Sequence, residues 1–138
     1  MQLEVKINLI LHATEDESNV FQVLEDMFQI EQEKFQIEQV SGHFNNPILL
    51  VSSKLKKKLA YDFVKLFFSK IKKDDFQEIF PNVEEYVTSS GLSLRVSKQK
   101  LISEILTISK EDAIKINIST PVYVKNETKK IYQELMKI

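Results

Sequence analysis

The chain has 138 residues and a mass of 16.1 kDa, with 43% hydrophobic and 28% charged residues, the balance of a globular protein that can bury its own core. The absence of Cys excludes disulfides, thiolate zinc sites and thiol catalysis, and with two Gly in the chain a Gly-rich phosphate loop is excluded as well. The net charge of −1 conceals a split: residues 1–53 carry two bases against nine acids, residues 54–138 carry seventeen bases against eleven acids, and Arg95 is the only Arg.

Leu3, Val5, Ile7, Leu9 and Leu11 alternate with Glu4, Lys6, Asn8, Ile10 and His12, the period of a strand with one buried face. Thr14 followed by Glu17 reads as a capping box, with Glu15, Asp16 and Glu17 suiting the positive end of a helix dipole. The helix that follows places Val20, Val23, Leu24, Met27 and Phe28 on one face. Residues 35–40 read as a second strand and residues 42–47 as a turn. Ile48, Leu49, Leu50 and Val51 lack a polar face, which predicts a strand buried on both sides and hairpin-paired with the preceding one.

Residues 55–73 read as the longest helix, with Leu55, Leu59, Phe63, Leu66, Phe67 and Ile71 in a stripe and Lys58, Lys65 and Lys72 stacked opposite. Pro81 breaks any continuous helix through residues 74–90. Residues 92–97, 102–109 and 113–120 read as three strands, and residues 126–138 as a last helix with Ile131, Leu135 and Ile138 inward. One domain over residues 1–138 is expected, an α+β fold whose antiparallel or mixed sheet carries helices mainly on one face. No apolar run is long enough to cross a membrane and no basic-apolar-small triplet opens the chain, so the expectation is a cytoplasmic protein with no membrane partner.

The motifs that carry chemistry are few. There is no Walker loop, GxGxxG, HExxH or GxSxG. His12, His43 and an acid such as Glu15 or Asp16 are a conceivable metal set, but no i, i+4 spacing supports it, and a His at a strand end is ordinarily a structural donor. The expectation is therefore no catalytic residue, no metal and no cofactor. Two surfaces suit phosphate better: the Lys surface of Lys54, Lys56, Lys57 and Lys58 at the start of the long helix with Lys70, Lys72 and Lys73 at its end, and the basic segment Arg95-Val96-Ser97-Lys98-Gln99-Lys100. The outward strand residues Lys6, Asn8, Ser93, Arg95, Lys115 and Asn117 include no aromatic, which argues against base stacking on the sheet in the manner of an RRM. Phe44 is the one aromatic expected in a polar loop.

Three segments carry a resemblance. His12-Ala13-Thr14-Glu15-Asp16 resembles the "HATED" segment, Gly42-His43-Phe44-Asn45-Asn46-Pro47-Ile48 the "GHFGNPI" loop, and Leu94-Arg95-Val96-Ser97-Lys98-Gln99 the "LRLDKQ" segment of an archaeal family of RNA-binding proteins, once proposed as exosome subunits. They occur in that family's order and span most of the chain. The resemblance implies a fold similar to ribosomal protein L5 and an RNA-related role associated with RNA processing, with a protein complex as a further expected partner. Asn45 replaces the usual Gly, Ser97 the usual Asp and Lys100 a small residue, and the aromatic-Leu-Gly stretch that normally follows is absent at residues 101–104.

The resulting expectation is a non-enzymatic RNA-binding protein. Arg95, Lys98, Lys100, Lys57, Lys58 and Lys65 would hold the phosphate backbone, and His43, Phe44 and Asn45 would add shape or base contacts. The alternative is a non-catalytic protein-interaction or assembly subunit. His12 and His43 are expected near each other if the first strand neighbours the hairpin.

Overall fold

Strand β1 (Glu4–His12) is the axis of the molecule, because its strict alternation fixes which face of the sheet is covered: Val5, Ile7, Leu9 and Leu11 are buried, while Lys6, Asn8, Ile10 and His12 are exposed. The computed structural model describes residues 2–12, 16–42 and 46–138. In chain order the other elements are α1 (Glu17–Phe28), β2 (Gln36–Ser41), β3 (Pro47–Lys56), α2 (Lys57–Lys70), α3 (Lys73–Ile79), β4 (Val87–Thr88), β5 (Gly91–Ser97), α4 (Lys98–Ile102), β6 (Ala113–Ser119) and α5 (Thr128–Met136). The strands form one antiparallel sheet in the order β2-β3-β1-β6-β5-β4. The α+β expectation holds, and every ladder is antiparallel rather than mixed.

Helix α2 packs across β1 and β3, and α1 and α5 pack on α2. Between sheet and helices lies an aromatic line. Phe63 and Phe67 stand 5.7 Å apart by ring centroids, Phe28 packs on both, Phe68 lies edge-on to Phe67, and Phe76 and Phe80 continue the line. Among the described residues no helix covers the other face of the sheet, where Lys6, Asn8, Ile10 and His12 are exposed.

Several boundaries differ from the sequence expectation. The cap of α1 is Asp16, whose Oδ1 accepts from the Ser18 hydroxyl at 2.7 Å and from the Ser18 and Asn19 amides; Thr14 lies outside the described residues. The Ser18 hydroxyl, then the Asn19 amide, hold the Asp16 carboxyl below the usual carboxylate range. β3 runs on to Lys56, and α2 begins directly at Lys57, which sits at φ 55° with its amide donating to the Leu3 carbonyl. That later start turns Leu59 outward, 49% exposed, and buries Ala60, Val64 and Phe68 beside Phe63 and Phe67.

The expected strand over residues 102–109 is absent. Ser97 Oγ accepts from the Lys100 amide and caps the short α4, and only isolated bridges form at Leu106 and Ile108. Asp75 ties this segment to α3 by accepting from the Thr107 hydroxyl and the Ile108 amide. The apolar run in β3 is not covered on both sides either: Leu50 is exposed and Ile48 half-buried on the outer face, on which no described helix packs, while Leu49 and Val51 face the core. Val83–Tyr86 is a 310 turn, and another, Lys125–Glu127, precedes α5.

Gly91 opens β5 at φ 104°, and a Cβ there would meet the Ile118 carbonyl oxygen of β6 at 2.4 Å. Gly91→Ala therefore combines an unfavourable backbone conformation with a clash against backbone that is fixed by the ladder. The expected cost is at least about 1–2 kcal/mol, seen as a lowered urea midpoint with an unchanged slope. An unchanged midpoint would show that β5 can open away from β6 at little cost.

Candidate nucleic-acid interface

The bare face of the sheet is assembled by register. In one row across the strands Gln36, Ser52, Asn8, Lys115 and Arg95 stand side by side; in the next, Lys54, Lys6, Asn117 and Ser93. Two pairs are of like charge and directly opposite, Lys6 against Lys54 and Arg95 against Lys115. Such pairs are repulsive in an antiparallel ladder. Lys54 is partly compensated by Glu4, 3.3 Å away. Ser93 donates to Asn117 Oδ1 at 2.7 Å, which stiffens the polar row.

Three depressions lie along this face and share walls. The largest, about 860 Å³, is lined by His12, Arg95, Lys110, Lys115 and Asn8, with Ile10 and Leu50 as an apolar floor. A second of about 380 Å³ shares Asn8 and adds Lys6, Lys34 and Lys54. A third of about 700 Å³ shares Lys6 and ends at Asn117, Tyr123 and Lys125. Among the described lining residues the carboxylates are Glu38 and Asp112, and Asp112 is paired with Lys98. The result is a continuous cationic track. Burial raises the pKa of Tyr132, which lines the third depression, above the ordinary phenol value.

The residues singled out from sequence do not gather in one place. Arg95 is exposed on the bare face. Lys98, three positions on, is 1% exposed, and its ammonium donates to the Ile10 carbonyl at 2.5 Å and pairs with Asp112 at 3.1 Å. It is an internal strut between β1 and the loop before β6. Lys100 is exposed on α4, which packs against α1 on the helix side. Lys58 and Lys65 lie on the side of α2 opposite its buried residues, in the helix layer and away from Arg95. The Lys58 ammonium is held 2.8 Å from Asp62, which raises its pKa. Lys57 sits at the lower edge beside Lys56 and Glu4. His43, Phe44 and Asn45 lie outside the described residues, and so does the expected approach of His12 to His43.

Sequence reasoning missed Lys110, Lys125 and Tyr123. Lys110 and Tyr123 come from loops and Lys125 opens a 310 turn, where alternation gives no signal. Among the described residues no group of His, Asp and Glu is placed to hold a metal ion, and no helix is long and apolar enough to cross a membrane.

An antiparallel sheet backed by helices on one side, with cations across its uncovered side, has the form of an open binding surface rather than an enclosed cleft. The family model described as RNA binding matches residues 4–120, which contain all six strands, and the chain belongs to that RNA-binding family. It is similar to an RNA-binding protein of Pyrococcus abyssi, 29% identical over 126 residues covering 86% of this chain and 82% of that one. Its fold is that of two solved DUF54 proteins. One, from Sulfolobus solfataricus, is 24% identical with a TM-score of 0.77, covering 97% of this chain and 98% of that one. The other, from Methanothermobacter thermautotrophicus, is 20% identical with a TM-score of 0.73, covering 99% of each.

Proposed function

We propose that this protein binds RNA through the bare face of its sheet, without catalysis. The observation that carries this reading is the pair of like-charge contacts, Lys6 against Lys54 and Arg95 against Lys115, placed directly opposite on the uncovered face. Each such pair costs the folded chain roughly 0.2–1 kcal/mol, and a polyanion laid across them turns that repulsion into attraction. The lysines act as point charges on phosphates, and Arg95 can hold one phosphate through two parallel hydrogen bonds. Ile10 and Leu50 supply an apolar floor in the same depression. Of the cations expected from sequence to hold the phosphate backbone, Arg95 belongs to this surface and Lys57 borders it, whereas Lys58, Lys65 and Lys100 sit elsewhere and Lys98 is committed internally. RNA processing is the setting that the resemblance implies.

The test is binding across a salt series for the wild type, for Arg95→Gln/Lys115→Gln, and for Lys58→Gln/Lys65→Gln. Losing two phosphate contacts should flatten the log–log salt slope by about 1.4 on single strands or about 1.8 on a duplex. The helix-layer variant should bind as the wild type does. Relief of the cross-strand repulsion should leave the first variant as stable as the wild type or a few tenths of a kcal/mol more stable. Equal affinity and equal slope in all three proteins would remove the bare face from consideration.

A further inference from the structure

We propose that Tyr123 is a base-stacking platform and that the RNA taken by this face is single-stranded. The inference rests on the reading of the bare face as the RNA surface and adds the strandedness of its ligand. Tyr123 is 90% exposed, the most exposed of the large apolar and aromatic side chains described, and it lines the depression that holds Lys6, Asn117 and Lys125. Leaving an aromatic ring almost wholly in water forfeits the burial that ordinarily holds such residues inside.

Its surroundings say what could cover it. Lys6 and Lys125 line the same depression, and through Lys6 and Asn8 the depression continues to Arg95 and Lys115. A chain that tracks phosphates along the cations thus arrives at an exposed ring with a base to place. Only an unpaired strand can do so, because a duplex keeps its base faces stacked inside and offers only edges, backbone and hydroxyls. The path is short. From Lys6 to His12 the strand covers about 20 Å, a length suited to about four nucleotides, the low end of sites built from a cationic groove and aromatic platforms. The absence of aromatics among the outward strand residues is thereby offset from a loop.

The chain has no Trp, so Tyr123→Trp installs a single reporter at the proposed contact. Its emission should be quenched by a short oligouridylate and unchanged by an RNA duplex of the same length. Tyr123→Ala should weaken oligouridylate binding by about tenfold or more with the salt slope unchanged, and Tyr123→Phe should restore it. The proposal is overturned by a duplex that binds as tightly as the single strand, or by a Tyr123→Ala protein that binds as the wild type does. If Arg95→Gln/Lys115→Gln still weakens binding in that second case, stacking alone is wrong. If neither variant matters, the bare-face reading falls with it.

Discussion

Phe67→Ala is expected to lower the stability of the protein by about 3–5 kcal/mol, the largest loss from a single truncation in this fold. Phe67 is fully buried at the junction of the aromatic line, with ring centroids at 5.1 Å from Phe68, 5.7 Å from Phe63 and 6.3 Å from Phe28. Truncation removes the transfer energy of the ring and leaves a cavity whose walls are other rings. Those walls sit on α1 and α2, and α2 is pinned to β1 and β3, so they cannot close on the gap without moving whole elements. Against a typical total of about 5–15 kcal/mol, the loss should show as a urea midpoint shifted far down at constant slope. Leu59→Ala on the same helix is the control: Leu59 is 49% exposed, and its truncation should stay within about 0.5 kcal/mol. Comparable losses for the two would mean that the helix layer packs differently from the description given above.

The contrast between these residues shows where sequence reading works and where it drifts. Strands β1, β5 and β6 are legible because one face of each is buried and the other is wet, and a slip of one residue would invert every side chain. The start of α2 is not legible. No Gly or Pro separates it from β3, and the turning residue is Lys57 at φ 55°, a conformation that nothing in a lysine announces. Moving the start by two residues rotates the stripe, which is why Leu59 faces water and Val64 does not. The segment over residues 102–109 fails for another reason. Its Ile and Leu residues have the composition of a strand, but the Ser97 cap commits the preceding residues to a helical turn and β6 already pairs with β5, leaving no free ladder between them.

The candidate site divides along the same line. Residues that alternation can orient were placed outward correctly in the sheet, namely Lys6, Asn8, Arg95 and Lys115. What a linear reading lacks is register, which sets Lys6 against Lys54 and Arg95 against Lys115 and turns scattered cations into a surface. The lysines that cluster in sequence, by contrast, disperse in space. Lys58 and Lys65 follow α2 to the far side, and Lys98 and Lys100 part company within one turn of helix, the first buried and the second exposed.

Lys98→Ala is expected to cost about 2–4 kcal/mol, and its comparison with Lys98→Met decides what this lysine does. Asp112, with its side chain 55% exposed, can return to water once the ammonium is gone, so this carboxylate is not left as a stranded buried charge. The variant loses the packing of the aliphatic stem and, among its polar contacts, the hydrogen bond to the Ile10 carbonyl. Methionine keeps most of the stem, so Lys98→Met should cost only the polar part, about 1–3 kcal/mol. The RNA measurement separates a strut from a ligand contact. At a temperature where Lys98→Met is folded, its salt slope on single-stranded RNA should equal that of the wild type, while Arg95→Gln, in the same basic segment, flattens it. A slope reduced by about 0.7 in Lys98→Met would mean that the ammonium leaves Ile10 and Asp112 to reach a phosphate. The loop before β6, which carries Lys110 and Asp112 at the edge of the largest depression, would then have to open when RNA arrives.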